Sequence, residues 1–461
     1  MTAIPAKSRM RTRVAESPFL RSVSVMMIGT TLGQAASVAL APVLTRVYTA
    51  EEFGYLSVYT AVLAILGVTA ALGLDVAIPL AASEFELANL IAGAGVAVAI
   101  TSGLTGLAMG LLPAPVLAGL WLAPLDAHRY LMPLGLACLG GYYVMVAAAT
   151  RAGRFADIAR TRITQGLGGP LSQIALGIAG AGTAGLAIGF IIGQSSGLFL
   201  LLSRVLIDRP TLRAAISWRG MRAVVTRYSH FPLFASWTRV VDMAGSGTVL
   251  YLLFSAYYSS EIVGFMFLGE RVIARPLLMV SSSLLQVFAG EAGRSARGDP
   301  IALRRRFCQV VPGQLLFALA WIIPVNVLAG WAVPLLFGAP WIAAIPCLHA
   351  LSLAYLALAV LHPVSTTLQV LERQAQAAAW QGLRLVSLIV ATVAARQFGL
   401  AAVTALWICS MIQAASCIGM LATMAIIIDR LAVAHRTAVP APGAAAPLAL
   451  DRVQPMRQGG N

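Results

Sequence analysis

Apolar residues run along this chain in long blocks, with the polar residues gathered between them. Each block is roughly 20 residues long, the length that crosses the hydrocarbon core of a bilayer as a helix. Strand-period alternation is absent, so the pattern predicts helices that satisfy their own backbone in lipid, not a barrel. Twelve blocks can be traced, at about 20–46, 54–80, 87–112, 129–150, 163–181, 184–206, 229–255, 262–290, 308–330, 341–369, 376–396 and 400–428. The fold class read from this is all-α: a polytopic membrane protein of about twelve transmembrane helices, in two six-helix lobes around a central cavity. The expected lobes are 19–206 and 229–428. A basic arm (1–18) precedes them, a linker (207–228) joins them, and an Ala/Pro-rich disordered tail (429–461) follows.

The first block follows a basic start, and Ala39-Leu-Ala41 resembles a cleavage site. The block is nevertheless too long for a signal-peptide core, so it is read as an uncleaved first helix. Orientation comes from the cations. Alternate connections hold 25 Lys and Arg on one side and 3 on the other. By the positive-inside rule this places both termini in the cytoplasm. The far-side loops are short and leave no room for an external catalytic domain. The linker carries Arg209, Arg213, Arg219 and Arg222 with Trp218. That composition suits a helix lying on anionic lipid.

An internal repeat supports two equivalent halves. Tyr48-Thr-Ala-Glu51-Glu-Phe-Gly54 after the first block matches Tyr258-Ser-Ser-Glu261-Ile-Val-Gly264 after the seventh, 210 residues later. Thr49 and Glu52 also have the spacing of a capping box, which starts a helix crisply. Six is an even number of crossings, so both halves share one orientation and relate by an axis along the membrane normal. Parallel repeats of this kind occur in transporters with the cargo site between the halves.

Composition adds little to this outline: 59% of residues are hydrophobic and 11% charged. The net charge of +15 lies mostly in loops and needs no nucleic-acid partner. The five cysteines have no C-x-x-C spacing and read as membrane-buried free thiols, and the histidines form no metal motif. No cofactor is expected, although ion coupling is compatible with the pattern.

Four arginines change the picture. Arg239, Arg271, Arg275 and Arg384 lie deep inside apolar blocks. A charge at that depth costs at least about 2.5–3.5 kcal/mol and therefore faces a wet cavity or a partner. At about 1.5 Å per residue, Arg239 and Arg275 both fall near mid-membrane. Asp242 lies one turn from Arg239 and Glu270 adjoins Arg271, so local pairing is expected. Asp75, near the cytoplasmic end of the second block, reads as the wetter acid. Polar stripes complete the set: Ser236, Arg239, Asp242 and Ser246 on the seventh block; Arg271, Arg275, Ser282 and Gln286 on the eighth; Thr30, Gln34, Ser37 and Thr45 on the first. The expected substrate-binding residues are Arg239, Arg271, Arg275, Arg384, Asp242, Glu270, Gln34 and Gln286. Arg239, Arg271 and Arg275 are expected to converge, in a cavity lined by the first, second, seventh and eighth helices. Guanidinium groups grip phosphate through paired hydrogen bonds, so the cargo they suit is anionic.

Three stretches carry a family resemblance. LTRVYTAEEFGYL (44–56) with Asp75-Val-Ala-Ile, FLGERVIARPLLMVSSSLLQVF (267–288) and QAQAAAWQGLR (374–384) resemble the polysaccharide-biosynthesis (Wzx-type) flippases, within the multidrug/oligosaccharidyl-lipid/polysaccharide exporter superfamily. The resemblance covers about residues 20–428. It implies alternating access and a cargo of undecaprenyl-pyrophosphate-linked oligosaccharide, moved across a bacterial inner membrane. Membrane lipid, a polysaccharide polymerase and a chain-length regulator are the partners implied. Three other readings compete. A cation-coupled drug antiporter of the superfamily prefers an acidic cavity. A peptidoglycan-precursor flippase normally carries two extra helices. A membrane glycan polymerase or ligase generally uses a large outer loop, and no D-x-D motif is present.

Overall fold

A computed structural model of the protein describes residues 18–207, 210–228 and 239–438. The arm up to residue 17, Ser236 and the tail from residue 439 lie outside them, as does the side chain of Ser246. Helices account for the architecture, and no strand occurs among the described residues. The first half contains α1 (Pro18–Ala39), α2 (Ala41–Val47), α3 (Ala50–Gly67), α4 (Glu84–Leu111), α5 (Leu131–Arg151), α6 (Phe155–Ile178) and α7 (Gly182–Leu202). The linker folds into short helices, the longest being α8 (Trp218–Arg227). The second half contains α9 (Val249–Tyr257), α10 (Ser260–Gly269), α11 (Arg275–Gly298), α12 (Pro300–Phe337), α13 (Ile345–Leu361), α14 (Gln374–Gln397) and α15 (Ala402–Ala438).

Among the described residues, nine helical stretches are long and apolar enough to cross a membrane. The remaining expected crossings are largely helical where described but depart from that profile for visible reasons. α3 opens on Glu51 and Glu52, and α6 carries Asp157, Arg160 and Arg162. The stretch before α9 breaks at Gly247, whose φ is 105°. The last helix also runs past the expected start of the tail at Asp429, because Ile428 and Ala432 continue its buried face and Asp429 pairs with Arg304. The five cysteines are free as expected, but Cys308 is exposed on the protein surface.

Caps fix where the helices begin. Thr49 and Glu52 form the reciprocal box, with the Thr49 amide donating to the Glu52 carboxylate at 2.8 Å and the Glu52 amide to the Thr49 hydroxyl at 3.3 Å. Ser259 caps α10 in the equivalent place, accepting from the Ile262 amide at 3.3 Å. Ser83 caps α4, and Glu86 there accepts from the Ala82 amide, the Tyr228 hydroxyl and Arg227. Asn89 accepts from the Ser217 amide and donates to the Ala215 carbonyl. The linker is thus pinned to the foot of α4, with Trp218 left exposed.

The repeated motif also joins the halves. α3 packs against α10, and its closest approach is reciprocal. A methyl group on Gly54 would overlap the backbone carbonyl of Ser260, and one on Gly264 would overlap that of Ala50. The two contacts exchange under the 210-residue offset, as a pseudo-twofold axis requires. Phe53 and Phe265 then pack edge-on against Trp341, which donates to the Thr45 carbonyl at 2.9 Å. Arg46 donates to the Leu335 carbonyl at 3.2 Å. This end of the bundle is a seam of backbone, glycine and aromatic rings.

Replacing Gly54 by Leu should force that seam apart. In a cysteine-free background, a cysteine placed at Thr60 should then react severalfold faster with a membrane-impermeant probe added on the side of Thr49. An inserted Gly54→Leu protein with unchanged labelling would show that the glycine contact does not close this end.

Candidate functional site

A cavity of about 240 Å³ lies beneath the seam, between the halves. α1 contributes Thr30, Gln34 and Ser37 to it, and α3 contributes Thr60. α6 contributes Arg162, Gln165 and Gln173, α7 contributes Gln194, and Phe267, Arg271 and Arg275 come from the second half. Among the described residues the lining contains three arginines and no carboxylate. Of the four expected walls, the first, second and eighth crossings take part; among the described residues the seventh does not, and the fifth and sixth line the cavity as well.

A change of helical winding places the two central arginines. Between α10 and α11 the chain takes one π-turn over Glu270–Ala274. Such turns are rare and often functional. The turn brings Glu270 beside Arg275, not beside Arg271 as simple adjacency suggests. The Glu270 carboxylate accepts from Arg275 Nε at 3.0 Å and Nη2 at 2.9 Å, and from the Tyr251 hydroxyl at 2.6 Å. Arg275 reaches across to the first half and donates to Gln34 Oε1 at 3.3 Å.

Arg271 has no such neutralisation. It is 9% exposed, and its guanidinium lies 4.8 Å from the Phe267 ring centre and 5.7 Å from that of Phe53. Among the described residues its Nη1 is buried without a hydrogen-bond partner. Arg162 is held the same way, 5.5 Å above the Tyr142 ring. No carboxylate pairs with Arg162 or Arg271 among the described residues. Rings steady such cations by about 0.5–2 kcal/mol but leave their charge uncancelled. The cavity therefore carries excess positive charge that an anion would balance.

The other expected residues do not join this cavity. Arg239 donates to both oxygens of Asp75, at 2.9 and 3.1 Å. Asp75 sits on the one-turn helix Leu74–Ala77, after a reversal in which Leu72 and Gly73 both take positive φ. This pair ties the halves together. Arg239 lines a different cavity, with Gln374 and Gln381, so the three arginines do not converge. Asp242 accepts from Gln381 at 2.7 Å instead of pairing with Arg239. Arg384 is 4% exposed in the second half, beside Gln381 and 3.9 Å from the Cys417 sulfur, and its Nε has no partner. Gln286 lines none of these cavities, and its Oε1 is buried unpaired. Thr45 belongs to the seam through its carbonyl.

Arg162, Gln165, Gln173 and Gln194 are absent from the residues expected on sequence grounds. Arg162 falls with the cytoplasmic connection there, because the apolar block starts only at 163. The helical spacing of Arg162, Gln165, Gly169 and Gln173 is the signal that could have found them, since it marks one polar and small face on α6.

Residues 43–346 match a family model described as polysaccharide biosynthesis protein. No curated protein sequence matches the chain. The fold is similar to a multidrug resistance MATE family transporter of the MOP superfamily in an inward-facing conformation, with TM-score 0.68 and 14% identity, covering 91% of this chain and 99% of that one. Lipid II flippase MurJ, in an inward closed conformation, gives TM-score 0.68 at 12% identity, covering 90% of this chain and 93% of that one. The MATE multidrug transporter DinF-BH gives 0.62 at 16%, covering 91% and 97%. At these identities the likeness is one of fold.

The Asp75–Arg239 pair is 11% and 31% exposed at its side chains, so the effect of its loss is discounted for solvent. Asp75→Asn should lower stability by about 1–2 kcal/mol, since it leaves the arginine charge unpaired. Thermal unfolding in detergent would show this, and the exchange Asp75→Arg with Arg239→Asp should recover most of it. Equal unfolding temperatures for Asp75→Asn and the unaltered protein would mean the pair does not hold the halves.

Proposed function

Since the chain belongs to the polysaccharide biosynthesis protein family, we propose that it is a flippase for a lipid-linked oligosaccharide. Its cargo is a repeat unit of O-antigen, exopolysaccharide or capsule joined to undecaprenyl through pyrophosphate. The membrane is the bacterial inner membrane, with both termini in the cytoplasm. In that orientation the seam formed by Gly54 and Gly264 closes the outer side, and the cargo enters from the inner leaflet. A polymerase and a chain-length regulator would act on the product.

One observation carries this reading: Arg271 is buried between the halves, fixed by two rings, and has no carboxylate among the described residues. Leaving a buried cation unbalanced is costly, so a site built this way suits an anion that comes and goes. Arg275 and Arg162 stand beside it and give a phosphate-bearing group several donors. A cation-coupled drug antiporter fits less well, because no acid among the described residues lines this cavity. The fold is also similar to that of a lipid II flippase.

Arg271→Ala should reduce surface glycan at least about tenfold while membrane abundance stays normal. That corresponds to about 1.4 kcal/mol, the lower end of one charge-assisted hydrogen bond. Arg271→Lys should restore part of the export, because it keeps the charge and loses the planar fork. Normal export by Arg271→Ala at normal abundance would contradict the reading.

A further inference from the structure

The cavity has two kinds of lining, and the cargo read from the arginines uses only one. Beside them stand carboxamides. Gln173 is spent on structure: it is 3% exposed and donates to the Leu186 carbonyl at 2.9 Å. Gln165 and Gln194 are different. Gln165 donates one N–H to Gln194 Oε1 at 3.0 Å. That bond leaves a carbonyl on one amide and a free NH2 on the other, side by side in the lining. Gly197 leaves room for the Gln165 head, since a methyl there would sit 2.5 Å from its Nε2. Phe190 adds an apolar face from the same wall and packs edge-on to Tyr59.

Paired donors and acceptors without formal charge, next to an aromatic surface, match hydroxyl groups, which both donate and accept. They do not match a further anion, which the arginines would hold better. We propose that Gln165 and Gln194 bind the sugar attached directly to the pyrophosphate, and that they select a neutral sugar at that position. Placement supports this. Gln165 lies one turn from Arg162 on α6, and Gln165 and Gln194 line the same cavity as Arg162, Arg271 and Arg275. The proposal rests on reading the cavity as a pyrophosphate site.

The test uses the full-length protein in detergent and three probes. These are a short-chain prenyl pyrophosphate, the same molecule carrying one neutral N-acetylhexosamine, and the same molecule carrying one uronic acid. The unaltered protein should bind the neutral-sugar probe about tenfold more tightly than the bare pyrophosphate, and the uronic acid probe no better than the bare one. Gln165→Leu with Gln194→Leu removes both partners of one hydrogen bond and leaves no orphan. It should abolish the preference and keep the affinity for bare pyrophosphate, which also reports that the protein is folded. Gln194→Asn should lower the preference in part. A tenfold preference that survives the double replacement, or no preference in the unaltered protein, would overturn the inference and leave the anion site standing. Arg271→Ala should weaken all three probes. If it weakens none, or if the unaltered protein binds no probe, the pyrophosphate reading falls and the inference with it.

Discussion

An arginine buried in a membrane protein without a carboxylate is a standing cost, and the centre of this molecule is arranged around one. Arg271 is steadied by ring faces, which attract a cation without neutralising it. Its neighbour Arg275 is treated in the opposite way. The π-turn hands Glu270 to Arg275, so one arginine is cancelled and the other is left available. Had the helix stayed regular, Glu270 would not have been presented to Arg275 five residues on, and the division of labour would be lost.

The contacts between the halves are of two unlike kinds. Two glycines meet helix backbones in a reciprocal contact at the end where α3 and α10 begin. The Asp75–Arg239 pair joins the halves at a separate cavity. The first is dry and depends on shape, the second is ionic and depends on charge. For the flippase proposed above, closures of unlike strength would let one side yield while the other holds. The same Gly54 and Gly264 that make the motif repeat visible are the residues that meet the facing helix backbones.

Much of this is legible in the sequence. Apolar blocks with polar punctuation mark the helices, and Thr49 with Glu52 announces the start of α3 to the residue. The deep arginines point to a positively charged interior. Three things are hidden, each for a physical reason. The π-turn has no sequence marker, so adjacency pairs Glu270 with the wrong arginine. Asp75 and Arg239 are 164 positions apart and meet only when the halves assemble, so Asp242 looks like the partner. Arg162 lies on α6 just ahead of the apolar block that starts at 163, so it reads as part of the connection, whereas Gln165, Gln173 and Gln194 lie inside apolar blocks and carry no charge to single them out.

The central claim is that Arg271 marks an anion site between the halves. An experimental structure with a short-chain prenyl pyrophosphate bound would test it most directly. The account predicts a phosphate oxygen within hydrogen-bond distance of Arg271 Nη1, the atom that has no partner here, with Arg275 or Arg162 on the same group. A phosphate bound elsewhere, beside Arg384 or Arg239, with Arg271 still stacked and unpaired, would contradict it.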